Sequence, residues 1–252
     1  MQIIKFKKVG KCKYKLCFEN TELILHENLI LKYNLLSKKE LNTKQIEILL
    51  KENAFYDAYE TALRLLSIKL RTKKEMQTLL EKKNFDKNII NNVIDKIIEE
   101  GYINDKKYIE IYINDKINLS NDGPYKIKMT LIKNDLDEDY IDKILFKIDN
   151  KVWEDKITKI IQKKYKSNKN SIYIFKNKIV NYLITLGYDK NNIYEILNNL
   201  KFNDEDNLKK EIEKAKKKYS KKYSDEKLDY MIKKYLYSKG FSYDKVSDYY
   251  ED

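Results

Sequence analysis

One short pattern occurs four times in this 252-residue chain, and it limits what the chain can fold into. A large apolar residue, Phe85, Leu136, Tyr188 or Phe241, follows a residue that tolerates a left-handed backbone: Asn84, Asp135, Gly187 or Gly240. An N-cap type comes next, Asp86, Asp137, Asp189 or Ser242, and four positions beyond it stands Ile90, Ile141, Ile193 or Val246. In physical terms, one helix stops on a left-handed residue and the Asp or Ser accepts from the orphan amides of the next helix. The apolar anchor at N′ staples to the residue at N4. Each occurrence is a helix-turn-helix corner. Spacings of 51, 52 and 53 residues leave room for about three helices per unit.

The repeats divide the chain into 54–103, 104–150, 151–202 and 203–252, after an N-terminal piece of residues 1–53. The expected fold is mainly α, tandem three-helix units stacked as an elongated curved array. Five glycines and one proline agree with helices rather than with a turn-rich β chain. In the first repeat, helix 1 is expected from Phe55 to Leu70, with Ala58 and Ala62 one turn apart so that another helix approaches closely. Thr72 to Glu75 fits a capping box for helix 2, whose inner face is Met76, Leu79 and Leu80. Helix 3 carries Ile90, Val93, Ile94 and Ile97, closed by Gly101. The second repeat matches it with Ile127 and Leu131, then Ile141, Ile144, Leu145 and Ile148, and places Pro124 at the start of helix 2, where proline is tolerated. The third opens at Trp153 and carries eight lysines and no acid between Lys156 and Lys178. The fourth ends on a stripe of Val246, Tyr249 and Tyr250.

Only residues 1–25 read as sheet. Ile4 and Phe6 alternate with lysines, Cys12, Tyr14, Leu16 and Phe18 take alternate positions, and Leu23 to Leu25 follow a turn. This predicts a small antiparallel meander. Its expected cover is Leu29, Leu31 and Leu35, then a helix from Asn42 or Thr43 with Ile46, Leu49 and Leu50.

Chemistry has little support. There is no glycine-rich phosphate loop, and the one histidine, His26, has no nucleophile motif around it in sequence. Cys12 and Cys17 make neither a disulfide framework nor a zinc site, since nothing in sequence supplies further ligands. No catalytic, cofactor or metal residue is therefore assigned, and without a membrane span or signal segment a cytoplasmic monomer is expected. The net charge of +12 fits a polyanionic or acidic partner, and equally a lysine-rich, asparagine-rich composition with no partner behind it. Arg64, Lys69, Arg71, Lys73, Lys74, Lys82 and Lys83 crowd helix 2 of the first repeat and its approaches, and Lys126 and Lys128 hold comparable places in the second. They are the candidate contacts to a phosphate backbone or an acidic protein groove.

Ala62 to Met76, Gly101 to Tyr108 and Gly123 to Ile127 give the chain a resemblance to the RecX family, regulators of the RecA recombinase. The resemblance implies a non-enzymatic protein that binds in the groove of RecA filaments on single-stranded DNA. It also implies modulation, usually inhibition, of recombinase, ATPase and co-protease activity. The sequence departs from the family pattern at Asn104-Asp105, Asn134-Asp135 and Lys69, where an arginine is frequent and a bidentate contact is given up. A second reading from the charge alone is a helical-repeat nucleic-acid binder that acts independently of RecA.

Overall fold

The computed structural model describes the backbone of residues 1–251 and the side chains of residues 1–247. Tyr249 and Tyr250 of the predicted final stripe lie outside the described side chains. Two compact units form, Met1–Ile109 with Asn134–Leu136, and Glu110–Lys133 with Asp137–Asp252.

In the first unit, β1 (Lys5–Lys8), β2 (Lys13–Cys17) and β3 (Glu22–His26) make the expected antiparallel meander in the order β1-β2-β3. Leu16 pairs with Leu23 and Phe6, and Leu25 with Tyr14, so alternate residues face one core. That core joins Leu16 and Leu25 to Leu29, Leu35 and Leu49. Two expectations fail at its edge: Leu31 and Leu50 are exposed. For Leu31 the reason is α1 (Glu27–Lys32), a six-residue helix too short for periodicity to reveal, which turns Leu29 and Ile30 inward and Leu31 outward; Leu50 lies beside the buried Leu49 in the helix that follows, turned away from the core.

Next comes α2 (Thr43–Leu66), capped by a reciprocal box between Asn42 and Gln45. It is one continuous helix where two were expected, because nothing between Thr43 and Leu66 breaks it, and residues 53 and 54 fall inside it. Its first half supplies Leu49 to the meander core and its second half supplies Ala58 and Ala62 to another core. The helix stops at Leu66, not Leu70, leaving Ile68 and Leu70 exposed in a loop. Then follow α3 (Lys73–Glu81), with both hydrogen bonds of the Thr72–Glu75 box in place, and α4 (Lys87–Glu99). Met76 and Leu80 of α3 and Ile90, Val93, Ile94 and Ile97 of α4 close on the alanine pair. Leu79, expected inward, is only half-buried.

Helix α5 (Asp105–Leu119) begins in the first unit. The second unit contains α6 (Pro124–Ile132), α7 (Glu138–Phe146), α8 (Asn150–Lys166), α9 (Ile172–Thr185), α10 (Lys190–Asn199), α11 (Glu205–Tyr219), α12 (Asp225–Ser238) and α13 (Tyr243–Glu251). Ile127, Leu131 and Ile141 are buried as expected, but Ile144, Leu145 and Ile148 are half-buried. Here α7 has 9 residues against 13 in α4, and Ile148 falls beyond its end.

All four corners have the expected backbone: φ is 61° at Asn84, 54° at Asp135, 87° at Gly187 and 77° at Gly240. Phe85, Tyr188 and Phe241 each return their amide to a carbonyl five residues back, at Leu80, Leu183 and Leu236, which is the Schellman bond that ends a helix. Asp86, Asp137 and Asp189 cap the helices that follow. Leu136, Tyr188 and Phe241 are buried, whereas Phe85 stays half-exposed.

The corners also do something that no spacing predicted: each of the last three touches the start of helix 2 one repeat earlier. Asp135 receives the Lys74 ammonium at 2.9 Å. The Gly187 carbonyl accepts the Tyr125 amide, and the Leu186 carbonyl accepts the Gly123 amide at 2.7 Å. The Lys239 carbonyl accepts the Ser171 amide, and Gly240 lies against Ser171 and Ile174. The first helical amides have no partner inside their own helix, so the next repeat's corner completes two of these helix starts.

Candidate partner-binding surface

The structure sorts the predicted cations by what already neutralises them. Arg64 is exposed in the last turn of α2, where a positive charge suits the helix dipole. Lys73 opens α3, and Lys82 and Lys83 close it; all three are exposed. Among the described residues these four make no ion pair. The others are engaged. Lys69 reaches Glu75 at 3.9 Å and Lys74 reaches Asp135. Arg71 is half-buried and its Nε donates to the Leu65 carbonyl at 3.2 Å, which ties the loop after α2 to the end of that helix. Arg71 and Lys74 also flank Leu79 and Asn134 in a small cleft of about 270 Å³, which accounts for the partial exposure of Leu79.

In the second unit, Lys126 pairs with Asp122 at 2.7 Å, and Lys128 is held by Glu138 and Asp142 at 2.9 and 2.7 Å. Lys128 lies on the wall of an open groove of about 760 Å³ between α6 and α7, with Tyr125, Leu145, Phe146 and Lys147. Phe146 is 93% exposed and Tyr125 66%. Exposed aromatics beside lysines are the ingredients of a protein-binding patch rather than of a purely electrostatic one. Neither aromatic was singled out by the sequence; Phe146 falls on the outward phase of α7, five positions after the buried Ile141, where α4 has the exposed Asp95.

Around His26 the fold corrects the expectation that Cys12 has no neighbouring ligands. The donor atoms of Cys12, His26 and Glu60 lie within 4.8 Å of one another. Each already has work in the chain. His26 Nδ1 accepts the Asn28 amide and so caps α1, which places the imidazole proton on Nε2, facing Glu60 at 3.4 Å. A metal bound through Nε2 would have to displace that proton. Burial, then the Glu27 carboxylate, pushes the Cys12 thiol up, away from the thiolate a metal prefers. Lys13 meanwhile bridges Asp57 and Glu60, and His26 stacks on Tyr56 at 4.7 Å. The donor set reads as a bonded cluster that fastens the meander to α2.

No helix among the described residues is long and apolar enough to cross a membrane. Residues 58–96, from α2 into α4, match the family model described as RecX, first three-helix domain, and seven of the nine predicted cations lie in that segment. A regulatory protein RecX of Streptococcus agalactiae serotype V is 31% identical over 98% of this chain and 97% of its own length. That of Bacillus cytotoxicus is 30% identical over 89% and 85%. Among solved structures, a crystal structure of regulatory protein RecX shares the fold with a TM-score of 0.65 at 22% identity, covering 79% of this chain and 99% of that one. RecX from Lactobacillus salivarius gives 0.53 at 30% identity, covering 59% and 97%. With corners, helix 2 and meander all present in one chain, and relatives that match it nearly end to end, the chain belongs to the RecX family of regulatory proteins.

Proposed function

We propose that this chain is a non-catalytic regulator of the RecA recombinase, a cytoplasmic monomer that binds the groove of RecA filaments on single-stranded DNA. Binding there inhibits strand exchange and lowers ATPase and co-protease activity. The observation that carries this reading is the near full-length likeness to regulatory proteins RecX. The surface supports it in a second way, because exposed Tyr125 and Phe146 beside Lys128 suit a protein partner, where a bare phosphate binder needs no apolar rim. The contact residues are Arg64, Lys73, Lys82 and Lys83, which no carboxylate neutralises among the described residues. Lys69, Arg71, Lys74, Lys126 and Lys128 join them where the partner displaces or shares their present bonds.

The test is co-sedimentation with the cognate RecA on single-stranded DNA, with strand exchange measured in parallel. Wild-type protein is expected to pellet with the filament and to slow exchange at substoichiometric amounts. The Arg64→Ala/Lys73→Ala/Lys82→Ala/Lys83→Ala variant is expected to keep its fold and lose at least tenfold in filament affinity, about 1.4 kcal/mol. Arg71→Ala is expected to lower both binding and melting temperature, since it also frees the Leu65 carbonyl. No effect of the wild-type protein on RecA at any ratio would sink the proposal.

A further inference from the structure

A longer run of cations without any acid among them lies elsewhere, in the third repeat. From Lys156 to Tyr188 the chain contains no Asp or Glu. Two grooves open along this segment, both within the second unit. One, of about 410 Å³, is bounded by Ile117, Ser120 and Asn121 and by Lys159, Lys163 and Lys164 of α8. The other, of about 550 Å³, is bounded by Lys164, Asn168, Lys169 and Asn170 and by Lys178 and Tyr182 of α9. They share Lys164 and Tyr182, so they form one track, and no carboxylate lines either part.

Inside the track, the lysines differ in role. Lys156 is spoken for: its ammonium donates to the Lys116 and Ile117 carbonyls at the end of α5, and burial holds its pKa down. Lys164 is placed by Tyr182, with its ammonium 4.8 Å from the ring centre. Lys159, Lys163, Lys164, Lys169 and Lys178 are all exposed. Among the described residues none of them joins an ion pair, although Lys116, Lys126, Lys128, Lys214, Lys239 and Lys245 of the same unit all do. A run of unpaired ammonium groups along a groove repels itself, and a string of phosphates relieves that repulsion. Amide side chains at Asn121 and Asn170 and the Tyr182 ring add base-edge and stacking contacts that only an unpaired strand can use.

We infer that this track binds the sugar-phosphate backbone of single-stranded nucleic acid directly. The site is separate from the α3 and α6 cations and does not rest on the RecA reading. The strand surface works with RecA absent.

The experiment is fluorescence anisotropy of a labelled thymidine oligonucleotide titrated with the full chain, without RecA, across about 50 to 200 mM salt. Each phosphate contact contributes about 0.7 to the slope of log affinity against log salt for single strands, so Lys163→Gln/Lys164→Gln/Lys178→Gln is expected to flatten that slope by about 2. Lys209→Gln/Lys210→Gln/Lys217→Gln removes the same charge from exposed positions of α11 and is expected to leave the slope unchanged. Circular dichroism melts check that both variants fold, and co-sedimentation with RecA tests the protein surface separately. Equal losses in the two variants, an unchanged slope in the groove variant, tighter binding of a duplex, or displacement of the oligonucleotide by polyglutamate at matched charge would each overturn the inference.

Discussion

At the scale of single residues, the corners separate backbone need from packing need. Gly101 and Gly187 both have positive φ, 77° and 87°. A Cβ on Gly101 would meet nothing within 4 Å, whereas one on Gly187 would stand 2.4 Å from the Lys126 amide nitrogen. Gly101→Ala is therefore expected to lower stability by about 1 to 2 kcal/mol, the strain of a left-handed residue. Gly187→Ala adds an overlap with backbone and is expected to cost at least about 2 kcal/mol more. Urea melts of the two variants check this, and equal losses would mean that the corner does not bear on α6. The αL preference at both glycines was legible from residue type. The contact of Gly187 with a segment more than sixty positions earlier was not, since no local pattern encodes which surface a corner meets.

Among the elements, those with caps and a 3.6-residue stripe were readable, and those set by length or by neighbours were not. The box at Thr72 and Glu75 and the inner faces of α3 and α4 follow directly from spacing. The six-residue α1 offers less than two turns of pattern, and α2 hides its continuity because its apolar positions change partner halfway along. Thr72→Ala removes the side-chain half of the box and is expected to lower the unfolding free energy by about 1 kcal/mol. Ile90→Ala, at a site 1% exposed, is expected to lower it by about 2 to 5 kcal/mol. Measured side by side by chemical denaturation, a cap loss as large as the core loss would contradict this division of labour.

For the whole molecule, the candidate site was legible as a list of cations but not as an electrostatic surface. Lys74 meets Asp135 across 61 positions and Lys128 meets Asp142 across 14, so pairing partners cannot be told from helix periodicity. The same pairing sets the response to acid. Burial works against ionising Asp122 and Glu211. The bonds of Asp122 to Lys126 and Lys116, and of Glu211 to Tyr235 and Lys214, more than offset it and hold both carboxyls below their ordinary range. A carboxyl depressed in the folded state contributes stability above its unfolded pKa and loses it as pH falls through the folded value. The melting temperature is expected to stay level near neutrality and fall below about pH 4, where unfolded carboxyls titrate. Asp122→Asn/Glu211→Gln should lower it at pH 7 and make the fall on acidification shallower. An unchanged acid limb in the double variant would assign the loss to other groups.

The docking of each corner on the helix start one repeat earlier also imposes an order in time. A ribosome releases Lys74 before it has made Asp135, 61 residues later, and the same holds for Gly123 before Gly187 and Ser171 before Gly240. At about 5 to 20 residues per second, that lag is roughly 3 to 12 s for each unit. During synthesis the starts of α6 and α9 therefore wait, with the Gly123, Tyr125 and Ser171 amides facing water, until the following repeat emerges to cover them. In both cases the newest unit on the nascent chain is the one whose helix start is still open.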